Sequence, residues 1–348
     1  MCVGYFVVDV AVVVSSLVGD RDLLVDAVGE RRLVDMFMEL FGGGVGILPH
    51  PDDAVAVRIG GEVVVLKADS FVASTDMPPR MSYYDVGWKS VVMNVSDLAA
   101  KGAQPRYFLS SIGIPRGFKV RDALDINRGI RDAAAEYGVS VLGGDVGECG
   151  DLVVSGFMVG SAPDGVLIPR RGAKPGDLLA VTGCFGLTYA ALKTFMMGLN
   201  VGEDLQEAFE KALFRPQVNV SVGLALAASG SVSSSIDSSD GLLECMLELQ
   251  RVNNVGFIVE ELPVCEGVRL FAGQFGFDIL DLVFRGGEEY ELVVTLRPEG
   301  LDKALMAVRA AGGDLKVIGS VVEDPRIFCK VDGRVVELKG EGFRHFRK

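Results

Sequence analysis

The sequence predicts an α/β protein of two domains with mixed sheets. Its 348 residues exceed the length of one ordinary domain. Hydrophobic residues make up 49% of the chain and aromatic residues only 8%, and Val, Ala, Leu and Gly dominate, which is typical of sheets layered with helices. The segment 161–177 is rich in Pro, Gly and Arg, so we expect one domain over residues 29–162 and a second over residues 163–348.

Apolar residues at helical or alternating spacing predict the elements of the first domain in order. The clearest is a helix over residues 82–101, because Ser82 and Asp85 form a capping-box pattern and the apolar residues that follow keep the helical period. The other elements are helices over 30–41 and 120–137 and strands over 62–68, 107–114, 139–142 and 152–159.

The second domain continues the alternation of strands and helices. We expect strands over 178–182 and 233–236, helices over 187–197, 205–213, 217–228 and 301–311, a helix that begins at Gly241, and short strands near the C-terminus.

Residues 1–28 form an extension whose state the sequence leaves open. The run 3–18 is strongly apolar, but it is short for a membrane span and contains Asp9. No basic residue precedes it, which argues against a signal peptide. An additional strand or a disordered extension fits better, and we expect no membrane partner.

The charge balance and the cysteines narrow the function classes. A net charge of −13 disfavours nucleic acid as a partner, and an anionic phosphate ligand would have to arrive with Mg²⁺. The six cysteines show no C-x-x-C spacing, so we expect small buried thiols in a reduced, cytoplasmic protein. With only two histidines, a metal site of nitrogen and sulfur ligands is disfavoured.

Seven aspartates stand where apolar runs end, and they carry the functional prediction. They are Asp52, Asp53, Asp69, Asp97, Asp145, Asp237 and Asp240. Carboxylates held close together repel one another unless a cation lies between them, and an all-oxygen donor set suits Mg²⁺.

Each aspartate also has a structural interpretation when it is taken alone. Asp97 could pair with Lys101 on the surface of one helix, since the two are four residues apart. Asp69 and Asp145 could be turn residues, and Asp237 and Asp240 could cap the next helix.

Two common nucleotide-binding signatures are absent from the sequence. It contains no G-x-x-x-x-G-K-[ST] loop and no H-R-D and D-F-G pair of a protein kinase. Nucleotide binding therefore requires a different structural framework.

Several longer segments resemble the thiamine-monophosphate kinase family, in the same order and from about residue 29 to the end. They are Gly87-Trp88-Lys89, the run 94–105 (NVSDLAAKGAQP), Gly143-Gly144-Asp145, the run 170–177 (RRGAKPGD), the run 236–242 (IDSSDGL), the run 286–292 (GGEEYEL) and the run 342–346 (GFRHF).

The resemblance implies an ATP-using fold of two α/β domains that dimerises through the sheet of the first domain. It implies transfer of the γ-phosphoryl group of ATP directly to thiamine monophosphate, with in-line attack assisted by several Mg²⁺ ions. The acceptor is already an ionised phosphate, so no general base is expected.

The resemblance also assigns roles to individual residues. The metal ligands would be Asp53, Asp69, Asp97, Asp145, Asp237 and Asp240. The ATP-binding residues would be Gly144, Asp145, Arg170 and Ser239, with the guanidinium of Arg170 on the phosphates. The substrate-binding residues would be Asp76, Glu288 and Phe343, and Asp76 stands where many members have a histidine.

The sequence departs from the family pattern around these positions. Lys67 and Ala68 replace a pair of hydroxyl residues that often precede Asp69, Val146 stands in place of a threonine, and Glu289 replaces a usual Asp. These departures bear on the identity of the acceptor more than on ATP and Mg²⁺.

Two alternatives stay open. The first is another ATP-using enzyme of the same superfamily with a different small substrate. Within it, selenophosphate synthetase is disfavoured because the early reactive Cys is missing, and the hydrogenase-maturation protein because the chain does not end in a cysteine. The second is a non-catalytic assembly protein, which would have no reason to retain seven mutually repelling aspartates.

Overall fold

The computed structural model describes residues 23–41, 46–331 and 333–340. The chain divides into two compact units, Met1–Gly46 with Arg344–Lys348, and Ile47–Phe343. In the described part of the first unit lie α1 (Val25–Val28) and α2 (Glu30–Leu40), so the helix predicted from residue 30 is confirmed. Most of the N-terminal extension lies outside the described residues.

The second unit begins with a mixed five-stranded sheet in the order β1-β2-β5-β3-β4. Its only parallel pair is β3 with β4, among the strands that the structure describes. The strands are β1 (Val55–Ile59), β2 (Glu62–Val72), β3 (Gln104–Ile114), β4 (Ser140–Glu148) and β5 (Val153–Ala162). The helices between them are α3 (Ala73–Asp76), α4 (Tyr83–Ala100) and α5 (Val120–Glu136).

Helix α4 is the central element of this unit. The Ser82 side chain accepts from the Asp85 amide and the Asp85 carboxylate accepts from the Ser82 amide, which confirms the predicted capping box. Most of the helix is buried, since it packs on α5 and the first sheet and also reaches the second sheet. A Cβ at Gly87 would lie 1.9 Å from the Ile126 carbonyl oxygen, so only glycine permits this approach of α4 to α5.

The second sheet has seven strands in the order β12-β11-β8-β10-β6-β9-β7. Its strands are β6 (Leu178–Val181), β7 (Val232–Asp237), β8 (Gly256–Val259), β9 (Leu292–Leu296), β10 (Lys316–Val322), β11 (Ile327–Val331) and β12 (Arg334–Glu337). Its helices are α6 (Leu187–Met197), α7 (Glu203–Phe214), α8 (Val220–Ser229), α9 (Leu242–Asn253), α10 (Glu266–Phe275), α11 (Ile279–Arg285) and α12 (Leu301–Ala310). The predicted α/β class with mixed sheets is therefore confirmed.

Two strands run further than the sequence predicts. β2 continues through Asp69 because its ladder with β5 extends to the pair Val72 and Val153. β4 continues through the Gly143-Gly144-Asp145 segment because it pairs with β3 as far as Glu148. Asp69 and Asp145 thus lie inside strands, and their interpretation as turn residues is wrong.

The cysteines differ from the expectation of buried free thiols. Cys184 and Cys265 form a disulfide with their Cα atoms 5.2 Å apart. A β-bridge between Phe185 and Val264 brings the two loops together and explains the pairing, which sequence spacing does not reveal. Cys149 is exposed, whereas Cys245 and Cys329 are buried as expected.

None of the helices in the described part of the chain combines the length and the apolar character that a membrane span requires.

Candidate active site

Three buried aspartates meet between the two sheets. Oxygen atoms of the Asp53, Asp97 and Asp237 carboxylates all lie within 4.8 Å of one another. Asp53 lies in the loop before β1, Asp97 in the last turns of α4, and Asp237 at the end of β7. We call these three residues the acidic cluster. Both halves of the second unit contribute to it.

Burial and mutual repulsion make two of these carboxylates hard to ionise. Burial raises the pKa of Asp97 well above its usual value, and the nearby carboxylates Asp237, Asp69 and Asp53 add to the rise although Lys67 opposes it. Burial, assisted by Asp53, likewise raises the pKa of Asp237 to about 6. The Ser96 hydroxyl, 2.8 Å away, donates to Asp237 Oδ2 and partly opposes that rise.

The pKa of Asp53 is lowered, because two cationic side chains contact its carboxylate. Burial alone would raise its pKa, but Arg170 and Lys101 outweigh burial and lower it. The Arg170 guanidinium bonds Asp53 Oδ1 through Nε at 2.8 Å and through a second, short contact from its terminal nitrogen. The Arg170 amide also donates to Asp52 Oδ2 at 3.0 Å, so this arginine fixes the whole loop.

Lys101 is fully buried and binds the same loop. Its Nζ lies 2.7 Å from Asp52 Oδ1 and 2.7 Å from Asp53 Oδ2, and it donates to the Ser235 carbonyl oxygen at 2.7 Å. The expected surface pair between Asp97 and Lys101 is therefore wrong. Because α4 is buried around most of its surface, Lys101 cannot reach water and instead satisfies carboxylates from another segment.

The partner of Asp97 is Lys67 on β2. Lys67 Nζ lies 3.0 Å from Asp97 Oδ1 and 3.8 Å from Asp69 Oδ2. Burial would lower the pKa of Lys67, but Asp97, Asp69 and Asp237 outweigh it and raise the pKa above its usual value. The Lys67 side chain is 21% exposed, whereas that of Lys101 is fully buried, so Lys67 lies on the more open side of the acidic cluster.

The other three predicted ligands are described by the structure but lie outside the acidic cluster. Asp69 is half-buried on β2, and Lys67 links it to the acidic cluster. Asp145 is exposed on β4, opposite Ser111 of β3. Asp240 is exposed just before α9. The N-cap residue of α9 is Gly241, so neither Asp237 nor Asp240 occupies the N-cap position.

Two of the predicted nucleotide-binding residues, Gly144 and Ser239, lie on or next to strands of different sheets. Gly144 lies on β4, where a Cβ would come 1.9 Å from the Ser110 carbonyl oxygen. Ser239 is exposed after β7, and its carbonyl oxygen accepts from the Glu288 amide at 2.7 Å. The loops that contain Ser239 and Glu288 are thus held together.

The predicted acceptor-binding residues are fixed from different sides. Asp76 Oδ2 accepts from the Val72 amide at 2.7 Å, so its carboxylate closes the short helix α3 onto β2. Glu288 Oε1 lies 2.5 Å from Nζ of the fully buried Lys89 of α4. Phe343 lies outside the described residues.

The acidic cluster fits a divalent cation. Its donors are all carboxylate oxygens, which suit Mg²⁺ rather than a softer metal. Buried carboxylates with raised pKa values gain most from a positive charge placed among them.

Comparison with known proteins gives a consistent result. The model of the AIR synthase related protein, N-terminal domain, matches residues 51–162, and that of the C-terminal domain matches residues 174–332. A thiamine-monophosphate kinase from Nitrosopumilus maritimus is 33% identical over 285 residues, covering 82% of this chain and 89% of the relative. One from Pyrococcus horikoshii is 32% identical over 321 residues, covering 91% and 96%. The chain belongs to the thiamine-monophosphate kinase family.

A solved structure shows the same fold. The protein AaThiL, complexed with AMPPCP and TMP, superposes with a TM-score of 0.82 at 24% identity, covering 93% of this chain and 99% of that one. The predicted family, the two-domain α/β fold and the enzyme class of phosphotransferase are all confirmed. The roles of individual residues in the thiamine-monophosphate kinase reaction stay predictions.

Three charged residues of the site were not assigned a role from the sequence. From the sequence alone, Lys101 belongs to a helix surface, Lys67 is only a departure from the family pattern, and Lys89 is only part of a motif. A signal existed for Lys89 and Lys101, since a lysine on a helix dominated by apolar and small residues has little access to water. Lys67 offered no such signal.

Proposed function

We propose that this chain uses ATP to phosphorylate thiamine monophosphate to thiamine diphosphate, by direct in-line transfer with several Mg²⁺ ions. The observation that carries the proposal is the convergence of Asp53, Asp97 and Asp237 from both halves of the unit. The names of the relatives support the acceptor, and the ligands of AaThiL are consistent with a nucleotide and a monophosphate.

Mg²⁺, held by Asp53, Asp97 and Asp237 with Asp69, Asp145 and Asp240 as further ligands, would neutralise the two phosphate groups and align them. The acidic residues bind and orient, and none has to remove a proton because the acceptor oxygen is already ionised. Lys101 and Arg170 hold the loop of Asp53 in place, so the carboxylate geometry exists before substrates arrive.

The nucleotide would lie along Gly144, Asp145, Arg170 and Ser239. Arg170 has to divide its guanidinium between Asp53 and a phosphate oxygen, and its five N–H donors allow both. The acceptor would lie near Asp76, Glu288 and Phe343, where Glu288 offers a carboxylate to a cationic ring.

We further propose a cytoplasmic homodimer formed through the first sheet. β4 is an edge strand and all nine of its residues are exposed. Large apolar side chains on β3, β4 and β5 are exposed beside it, namely Tyr107, Leu109, Val141, Leu142, Val146 and Phe157. An apolar edge of this kind is stabilised when a second copy covers it. A domain boundary between residues 162 and 163 also stays a proposal.

A second candidate is another small acceptor for the same phosphotransferase. The departures at Asp76 and Lys67 favour it. Asp76 holds the position that the resemblance assigns to acceptor binding, and Lys67 lies on β2, which the helix of Asp76 follows directly.

The deciding experiment is an ADP-release assay with thiamine monophosphate beside other small phosphorylated compounds, with and without Mg²⁺. We expect Mg²⁺-dependent turnover with thiamine monophosphate. Asp97→Asn should remain folded and lose turnover, whereas Asp164→Asn, which removes an exposed partner of Arg58, should not. Turnover with a different acceptor alone would select the second candidate, and normal turnover of Asp97→Asn would show that Asp97 is structural.

Asp76→His tests the acceptor side. It should change the KM for the acceptor more than the KM for ATP. An effect confined to ATP would contradict the location assigned to Asp76.

A further inference from the structure

Lys67 places a permanent positive charge against the acidic cluster. Its Nζ contacts Asp97 Oδ1 at 3.0 Å and approaches Asp69 Oδ2 at 3.8 Å. Two of the six predicted metal ligands therefore share one ammonium group. Its charge also acts on Asp237, so its influence extends across the acidic cluster.

An ammonium group and a divalent cation compete for the same oxygen atoms. Lysine has three donors and no lone pair, so it cannot be a metal ligand itself. While Lys67 lies 3.0 Å from Asp97 Oδ1, it neutralises that oxygen and repels a metal ion placed next to it. A hydroxyl residue at this position, as the family pattern often has, would have neither effect.

We propose that the Lys67 ammonium fills one cation position of the carboxylate site. The chain consequently binds one divalent cation fewer than it would with a neutral residue at position 67. This inference rests on the proposed function, since it requires that the carboxylates bind a metal ion at all. Lys67 acts on the metal through Asp97 and Asp69 and is therefore a positioning residue.

An ordinary structural ion pair would leave the metal content unchanged. The other buried lysine beside these acids, Lys101, bonds Asp52, Asp53 and a backbone carbonyl and is completely enclosed. The Lys67 side chain is partly exposed, and it forms ion pairs with two carboxylates that are predicted metal ligands, Asp97 and Asp69. The two lysines thus differ in where their charge is placed.

The test counts Mn²⁺ ions bound per chain, without nucleotide, by equilibrium dialysis and electron paramagnetic resonance. Lys67→Met and Lys67→Thr should each bind one more Mn²⁺ than the parent. Lys67→Arg, which retains the charge, should bind the parent's number. Lys330→Met is the matched control, because it removes a lysine from an exposed pair with Glu260.

The outcomes separate the two proposals. If the parent, Lys67→Met and Lys67→Thr all bind the same number of Mn²⁺ ions, and that number is not zero, the role proposed for Lys67 is overturned but the metal site is not. A parent, Lys67→Met and Lys67→Thr that all take up no Mn²⁺ contradict the metal site of the proposed function, whereas no Mn²⁺ in the parent beside one in each of these variants supports the role of Lys67. Thermal unfolding of each variant in EDTA and in Mn²⁺ establishes that the variant is folded when its bound Mn²⁺ ions are counted. If methionine is not accommodated at position 67, the threonine variant provides a smaller, polar side chain.

Discussion

Lys89 and Glu288 form an ion pair in which the ammonium is fully buried and the carboxylate side chain is 33% exposed. Lys89 belongs to α4, whereas Glu288 lies on the loop before β9 of the second sheet. The ring of Phe71 covers the ammonium from another side, 5.8 Å from its centroid. Glu288 itself has a left-handed backbone with φ of 67°, and the pair holds this residue in place.

Replacing Glu288 by glutamine should destabilise the protein. The change leaves a buried charge without its counterion, which costs about 3 kcal/mol of unfolding free energy. Urea unfolding of Glu288→Gln measures it, and Glu260→Gln, in an exposed pair with Lys330, should cost less than about 1 kcal/mol. Equal losses in the two variants would mean that Lys89 finds another partner.

Glu289 should make stability fall as pH rises. Burial raises the pKa of its carboxyl to about 8, although Thr188 and the Gly186 amide donate to Oε1 and oppose the shift. The folded protein therefore keeps a proton that the unfolded chain loses near pH 4.5. Between these two values the folded state binds more protons, so its stability decreases with increasing pH.

Glu289→Gln should remove this dependence. The variant and the parent should unfold alike at pH 4, and at pH 8 the variant should be more stable by about 4 kcal/mol. Thermal unfolding across pH 4–8 provides the comparison. Parallel stability curves for the two proteins would show that Glu289 is ionised in the folded state.

Breaking the disulfide should also lower stability. It closes a loop between residues 81 positions apart, and opening such a loop costs about 4 kcal/mol in the chain-entropy model. Cys184→Ala should show this loss, while Cys149→Ser, at an exposed free thiol, should not. An unchanged melting temperature after complete reduction, verified by mass spectrometry, would contradict the expectation.

The proposed dimer can be broken at the exposed edge of the first sheet. Leu142→Asp places an unpaired charge in the apolar surface of β4 and should weaken association by about 100-fold or more. Val335→Asp on β12 makes the same change on an exposed residue of the second sheet and should leave association unaltered. Sedimentation velocity distinguishes these results, and a parent that sediments as a monomer would rule out the dimer.

Local signals predicted most helices well. The capping box at Ser82 and Asp85 placed the start of α4, and the run 187–197 coincides with α6. Strand ends were predicted less well, because glycine and aspartate suggest a turn. Whether a strand continues depends on its pairing with the neighbouring strand, and in this sheet the pairing continues past Asp69 and past Asp145. The helices α10 and α11 were not predicted.

The candidate site was also predictable only in part. Each aspartate could be selected from its place at the end of an apolar run and from its surrounding motif. The cation that pairs with each aspartate could not be predicted, because it comes from a segment far away in the sequence. Asp97 pairs with Lys67 rather than with Lys101. Lys101 pairs with Asp52, which lies 49 residues earlier in the sequence, and with the adjacent Asp53.

The bond from Lys101 to the Ser235 carbonyl has a consequence for how the polypeptide is made. The two residues are 134 positions apart, so Lys101 leaves the ribosome well before its acceptor has been synthesised. During that interval α4 has no second sheet to pack on, and its lysine is still hydrated. The nascent N-terminal half cannot reach its final arrangement until β7 emerges, and a truncated gene product that stops before it would expose the apolar flank of this helix to chaperones.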